Sequence, residues 1–354
     1  MPERLLFNPQ QLTLNGKSFA LWRLPHTKEV CAVVSDKTEP FTPDILKTEK
    51  QGFAFVPFDI NSETPSLFLS GEKLTDIDTS LKSTLNSYHL LDEPIPLDTP
   101  DNYVTNVGLA VKSIQQGMLK KVVIARNTLW DTPSGFCPLT FFNRLCEVYP
   151  EAMVSLVSIK NIGTWVGATP ELLLEVNNDN LSTVALAGTQ LKNYAQWTNK
   201  ESEEQLWVVR YIENILNEYG VNNIDISARK KITNGNLEHL YTQIVFNKAG
   251  TTNNSLASQI LPQLHPTPAV GGLDKEKAIA FIKTHEKFNR SYYSGFLGEI
   301  NKENISLFVN LRCMQLTNNG LVAYAGAGIT KDSNPEKELQ ETDNKLNNLK
   351  SLLK

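Results

Sequence analysis

What most constrains this chain is the spacing of its apolar residues. They come in runs too short for a buried helix, and the runs follow one another too closely to leave room for helices between them. Met153–Ser158, Thr164–Gly167, Leu172–Val176 and Leu181–Leu186 succeed each other across turn-length gaps. Strands joined that tightly pair antiparallel, because a parallel pair needs a long crossover. The same texture fills the first hundred residues, at Phe19–Leu24, Val30–Val34, Phe53–Pro57 and Leu67–Leu69. It returns at Lys121–Arg126, Gly295–Ile300, Ile305–Leu316 and Gly320–Ala327. Helical periodicity is confined to isolated stretches: Tyr103–Gly117, Pro138–Val148, Asn199–Tyr219, Asp274–Thr284, and a last helix that opens at Asn334-Pro335 with proline at the favoured first position. Runs of strands interrupted by single helices predict an α+β fold of packed sheets and not a doubly wound βαβ array.

Composition narrows the class. Of the 354 residues, 41% are hydrophobic, enough for a sizeable core, and 34 basic against 38 acidic side chains leave a formal charge of −4. That balance argues against a general nucleic-acid binder or a polybasic membrane binder. Four cysteines (Cys31, Cys137, Cys146, Cys313) show no C-x-x-C spacing, so a zinc knuckle or redox dithiol is not expected. The N-terminus lacks the apolar stretch of a signal peptide, and runs such as Phe53–Phe58 fall far short of a membrane span. The expectation is a soluble, cytoplasmic protein with no membrane or nucleic-acid partner. The segment Asp92–Asp101, with three prolines and four acids, is the best linker candidate.

Several fragments could carry chemistry. On the C-terminal helix, Glu338, Glu341 and Lys345 fall on one side beside the stripe of Leu339, Leu346, Leu349 and Leu353. They read either as a solvated face with an i,i+4 pair or as carboxylates for a hard cation. A second acidic group, Glu201, Glu203 and Glu204, opens the helix at Asn199. Helical phase turns Glu203 outward and leaves Glu201 and Glu204 unseparated. The glycines of Tyr324–Ile329 would let backbone amides approach an anion, or would simply mark a bulge. Lys121 opens an apolar strand; in a closed pocket desolvation would make it a general base, on an open edge it would only meet water. Glu171, His239 and His265 each have an ordinary packing or surface reading as well.

Taken together and in order, the fragments resemble the chorismate-utilising enzymes, most closely isochorismate synthase. The matching pieces are KVVIAR (121–126), GATPELLL (167–174), ALAGT (185–189), KESEEQ (200–205), LEHL (237–240), LHPTPAVGG (264–272), HEKFNRSYYSGFLG (285–298), VNLRC (309–313), YAGAGI (324–329) and SNPEKELQETDNKL (333–346). The resemblance implies two β-sheets packed as a sandwich and flanked by helices. It implies one chorismate-binding domain over 1–354, with 1–100 completing the sandwich and 101–354 bearing the motifs. It also implies Mg²⁺ as cofactor and the small molecule chorismate as substrate.

Roles follow from the same resemblance. Glu204 and Glu341 hold Mg²⁺, with Glu338 close by or acting through water. Lys121 is the base and Glu171 the acid. Arg312, Lys345 and the amides of Gly326 and Gly328 bind carboxylates, Gly188 and Thr189 flank the ring, and His239 lies near the reacting face. Lys121 stands where anthranilate synthases usually carry glutamine, and Ala187 stands where aminodeoxychorismate synthases carry a nucleophilic lysine. The implied activity is therefore isomerisation of chorismate to isochorismate by water, feeding menaquinone or siderophore biosynthesis. No amidotransferase subunit is expected, and the chain is a monomer or homodimer. Salicylate synthase and an anthranilate synthase component are the alternatives. One departure is Gln205, where many relatives have histidine.

Overall fold

A computed structural model describes residues 5–177, 180–192, 197, 199–234 and 237–353. The apolar runs become two large sheets in which every neighbouring pair of strands is antiparallel. The first has eight strands, in the order Gly272–Leu273, Lys121–Trp130, Gly320–Ile329, Cys313–Thr317, Gly163–Thr169, Met153–Ile159, Ser18–Arg23, Cys31–Ser35. The second has ten, in the order Asn223–Ile226, Leu237–Asn247, Leu181–Leu191, Leu172–Val176, Ile305–Val309, Phe296–Ile300, Gly52–Val56, Leu67–Ser70, Thr38–Pro40, with Lys230–Asn234 also on Leu237–Asn247.

Both faces of the central strands are buried, which explains why their sequences read as unbroken apolar runs, while Asn223–Ile226 and Thr38–Pro40 at the ends of the ten-stranded sheet are partly exposed. On Ser18–Arg23, Ala20 and Trp22 face the layer between the sheets, while Phe19 and Leu21 face the opposite way. On Gly52–Val56, Phe53 and Phe55 point inward while Ala54 and Val56 meet the outer helices. Helices Asn199–Glu218 and Asn253–Leu264 cover the ten-stranded sheet through Val208, Ile212, Leu216, Leu256 and Ile260. Helix Pro138–Val148 covers the eight-stranded sheet through Leu139, Phe142 and Leu145. Helices Pro100–Gln115 and Lys275–His285 lie over the edge formed by Val122 and Ile124. The layers are thus helix, sheet, sheet, helix. Trp22 Nε1 donates across the sandwich to Glu299 Oε2 at 2.7 Å.

The structure corrects one strand. Ile305–Leu316 is not continuous: Ile305–Val309 belongs to the ten-stranded sheet and Cys313–Thr317 to the eight-stranded one. The chain changes sheet through Asn310, Leu311 and Arg312, where Arg312 adopts φ 47°. A left-handed arginine is costly and is held by its surroundings. The Asn310 side chain donates to the Tyr292 carbonyl, and the Arg312 carbonyl accepts from Ala168 N. A second crossing lies beside it: Gly163–Thr169 leaves one sheet and Leu172–Val176 enters the other, with Val309 N donating to the Glu171 carbonyl at 2.9 Å. The segment 92–98 straps onto the eight-stranded sheet, with Asn127 accepting from Asp98 N and donating to Pro96 O. Helix Asn253–Leu264 and the strand pairs around Leu237–Asn247 had no counterpart in the sequence reading.

Candidate active site

The two crossings, the strand start at Lys121 and two helices converge on one cleft. Its wall includes Lys121, Glu171, Gly188, Glu204, His239 and Arg312. Gly326, Gly328, Glu341 and Lys345 complete the set of expected residues found there. Glu338 does not line it. Glu338 is buried one helical turn before, and the Tyr103 phenol is held protonated by its burial and, beyond that, by the charges of Glu338 and Glu341. The Thr189 side chain lies outside the described residues. His265 sits elsewhere, packed edge-on against Phe296, with Nε2 facing the carbonyls of Pro57 and Phe58, and is a core residue.

Lys121 is 2% exposed and Glu171 3%, so both reacting candidates are shielded from bulk water. Burial pushes the Glu171 carboxyl up to about 8, an effect the nearby Lys121 partly offsets. Glu171 is thus a neutral acid at neutral pH. Thr267 Oγ1 stands 3.5 Å from its Oε1, and the Thr169 hydroxyl accepts from its backbone N–H at 3.4 Å. Arg312 remains cationic, although burial lowers it to about 10. His239 is neutral: burial, Arg312 and Lys345 all hold it well below the usual histidine range.

Of the acids that open helix Asn199–Glu218, Glu204 is buried in the cleft wall and Glu203 is exposed, as helical phase implied. Gln205 turns away from the cleft and donates to Thr242 Oγ1 at 2.8 Å, pinning the helix to the sheet. Glu341 pairs with Lys345 at 2.8 Å, and Lys345 also donates to the Gly326 carbonyl at 2.7 Å. Gly328 matters because its backbone is bare: a Cβ there would stand 2.8 Å from Glu204 Oε1 and 3.1 Å from Lys121 Cε. Among the described residues, no three His, Cys, Asp or Glu side chains are close enough to chelate an ion on their own. Two carboxylates from separate helices instead fit a hard cation that keeps waters and takes its remaining oxygens from an anionic ligand.

Residues not singled out from the sequence also form the wall, notably Tyr293 and Tyr324, whose rings stack at 5.3 Å. Tyr324 stacks in turn on Trp165 at 5.3 Å, extending the apolar wall into the core. Both tyrosines lie inside quoted motifs, but nothing in their spacing distinguished a cleft aromatic from a core one. Glu201 also reaches the wall, beside Gly188, as phase had allowed.

Comparison with known proteins gives consistent results. A family model described as chorismate binding enzyme matches residues 68–354. The chain is 29% identical over 259 residues to isochorismate synthase MenF of Escherichia coli (strain K12), covering 70% of this chain and 59% of that protein. It therefore spans less than two thirds of that relative's length. It is 26% identical over 309 residues to the vibriobactin-specific isochorismate synthase of Vibrio cholerae, covering 83% and 77% of the two chains. The solved structure of the menaquinone-specific isochorismate synthase MenF from Escherichia coli superposes with a TM-score of 0.78 at 23% identity, over 95% of this chain and 89% of that one. At that identity the likeness speaks for the sandwich fold.

Proposed function

The chain belongs to the chorismate binding enzyme family, and from that premise we propose that it is an isochorismate synthase. The observation that carries the reading is Lys121 and Glu171 in one shielded cleft, the acid held protonated by burial. A dianionic ring enters with its carboxylates toward Arg312, Lys345 and the glycine strand. Lys121, as general base, takes a proton from water as the oxygen attacks C2. Glu171 gives its proton to the C4 hydroxyl, which departs as water while the ring double bonds shift. One C–O bond forms and one breaks, and a proton returned from lysine to glutamate restores the pair. Tyr293 and Tyr324 give the ring an apolar wall, and burial excludes stray water.

The family's cofactor is a divalent metal, and we propose Mg²⁺, held by Glu204 and Glu341 with Glu338 behind them. When bound it would offset carboxylate charge and fix the ring. With water as nucleophile no amidotransferase subunit is required, and we propose residence in the cytoplasm as a monomer or homodimer. Incubation with chorismate and Mg²⁺, products resolved by chromatography, tests the reading. Isochorismate as the accumulating product is expected. Salicylate with pyruvate, or anthranilate formed only with ammonia, would overturn it.

A further inference from the structure

His239 and Arg312 reach the cleft from opposite origins. His239 is carried by the long strand Leu237–Asn247, and Arg312 stands at the crossing between the sheets. Arg312 Nη2 points at His239 Nε2 within hydrogen-bond distance. A guanidinium only donates, so Nε2 must present its lone pair. On the other side of the ring, Nδ1 faces the Gly188 carbonyl at 3.3 Å. A carbonyl only accepts, so Nδ1 must carry the hydrogen. The two contacts demand the same neutral tautomer, and a second proton would set N–H against N–H.

The backbone is shaped for this arrangement. Gly188 lies at the register shift between Ala187 and Thr189, with φ +73°, which brings its carbonyl to His239. Any other side chain there would meet the Cβ of Glu201 at 3.0 Å as well as the left-handed penalty. The Arg312 side chain hangs from a strained residue and gains from a second anchor.

We infer that His239 is a positioning residue, whose ring links the Gly188 carbonyl to the Arg312 guanidinium and aims that guanidinium at a substrate carboxylate. Its effect on substrate binding passes through Arg312, and it carries no proton in the reaction. The substrate side of this inference rests on the reading above; the tautomer does not.

The tautomer is tested first, without substrate, by ¹⁵N NMR of histidine-labelled protein with His239 assigned by its loss in His239→Gln. A neutral Nδ1–H ring at neutral pH is expected; an Nε2–H ring or a doubly protonated one overturns the inference, whatever the protein's activity. Kinetics follow. His239→Gln sets an amide oxygen where Nε2 was and keeps an acceptor for Arg312, whereas His239→Asn reaches only Gly188. The expected result is a chorismate KM raised at least tenfold in His239→Asn and His239→Ala, and within about threefold of wild type in His239→Gln. Adding His239→Ala to Arg312→Met should change kcat/KM less than threefold further. Equal loss in Gln, Asn and Ala variants that melt like wild type, expressed in kcat, overturns the inference, as does a large further loss in the Arg312→Met background. A wild type that makes no isochorismate from chorismate would sink the activity reading and leave the NMR arm to decide the tautomer.

Discussion

Glu171 shows what one buried carboxyl does at two levels. As an acid raised to about 8, it is competent below that pH and loses its proton above it, so turnover should decline with a limb near pH 8. The same shift carries a stability cost. The folded state holds this proton more tightly than the unfolded chain, so stability falls as pH rises from about 4.5 through about 8 and then stays reduced. Glu171→Gln removes the titration, and should lose on the order of 100-fold or more in kcat. It should also resist thermal unfolding better than wild type at pH 8, by an amount on the order of 4 kcal/mol. A pH series of melting curves beside a product assay checks both signs. Lys121→Ala should likewise lose turnover with the fold intact. Gly328→Ala offers a different test: the new methyl must displace the Glu204 carboxylate, so Mn²⁺ affinity measured by paramagnetic resonance should drop about tenfold in a folded protein. These residues were legible in the sequence because their motifs survive as short strings. Glu204 was separated from Glu203 by phase alone, and from Glu201 not at all, because one turn of helix places both on the cleft side.

Among the elements, Pro138–Val148 and Leu172–Val176 were readable to the residue, since a proline start and a bounded apolar run mark their ends. Ile305–Leu316 was misread because the switch between sheets uses Asn310-Leu311-Arg312, with only asparagine as a turn former. What breaks the strand is tertiary: the two halves pair with different sheets. Helix Asn253–Leu264 was missed because Pro262 interrupts its pattern. Arg23 is an elemental device invisible in sequence. It is 2% exposed and donates to the carbonyls of Leu24, Cys146, Tyr149, Pro150 and Ala152, closing the end of helix Pro138–Val148. Arg23→Met leaves those acceptors unanswered and should cost about 3 kcal/mol in urea unfolding, with specific activity of the folded fraction unchanged.

Across the molecule, the family match starts at residue 68, yet the first strands lie inside both sheets. Ser18–Arg23 sits between Met153–Ile159 and Cys31–Ser35, and Gly52–Val56 between Phe296–Ile300 and Leu67–Ser70. A chain beginning at residue 67 would lose Trp22, Phe53 and Phe55 from the inter-sheet layer and bare a strand edge on each sheet. It should show no cooperative urea transition and should elute as aggregate in gel filtration. The N-terminal third carried no recognisable string because its task is packing, which many apolar sequences satisfy. The aromatic wall has an optical consequence. Of the five tryptophans, Trp165 is deeply enclosed and stacked on a tyrosine that faces the cleft. A molecule that fills the cleft and shifts Tyr324 should therefore alter the emission of that indole, read without an added dye as a change in tryptophan fluorescence on titration.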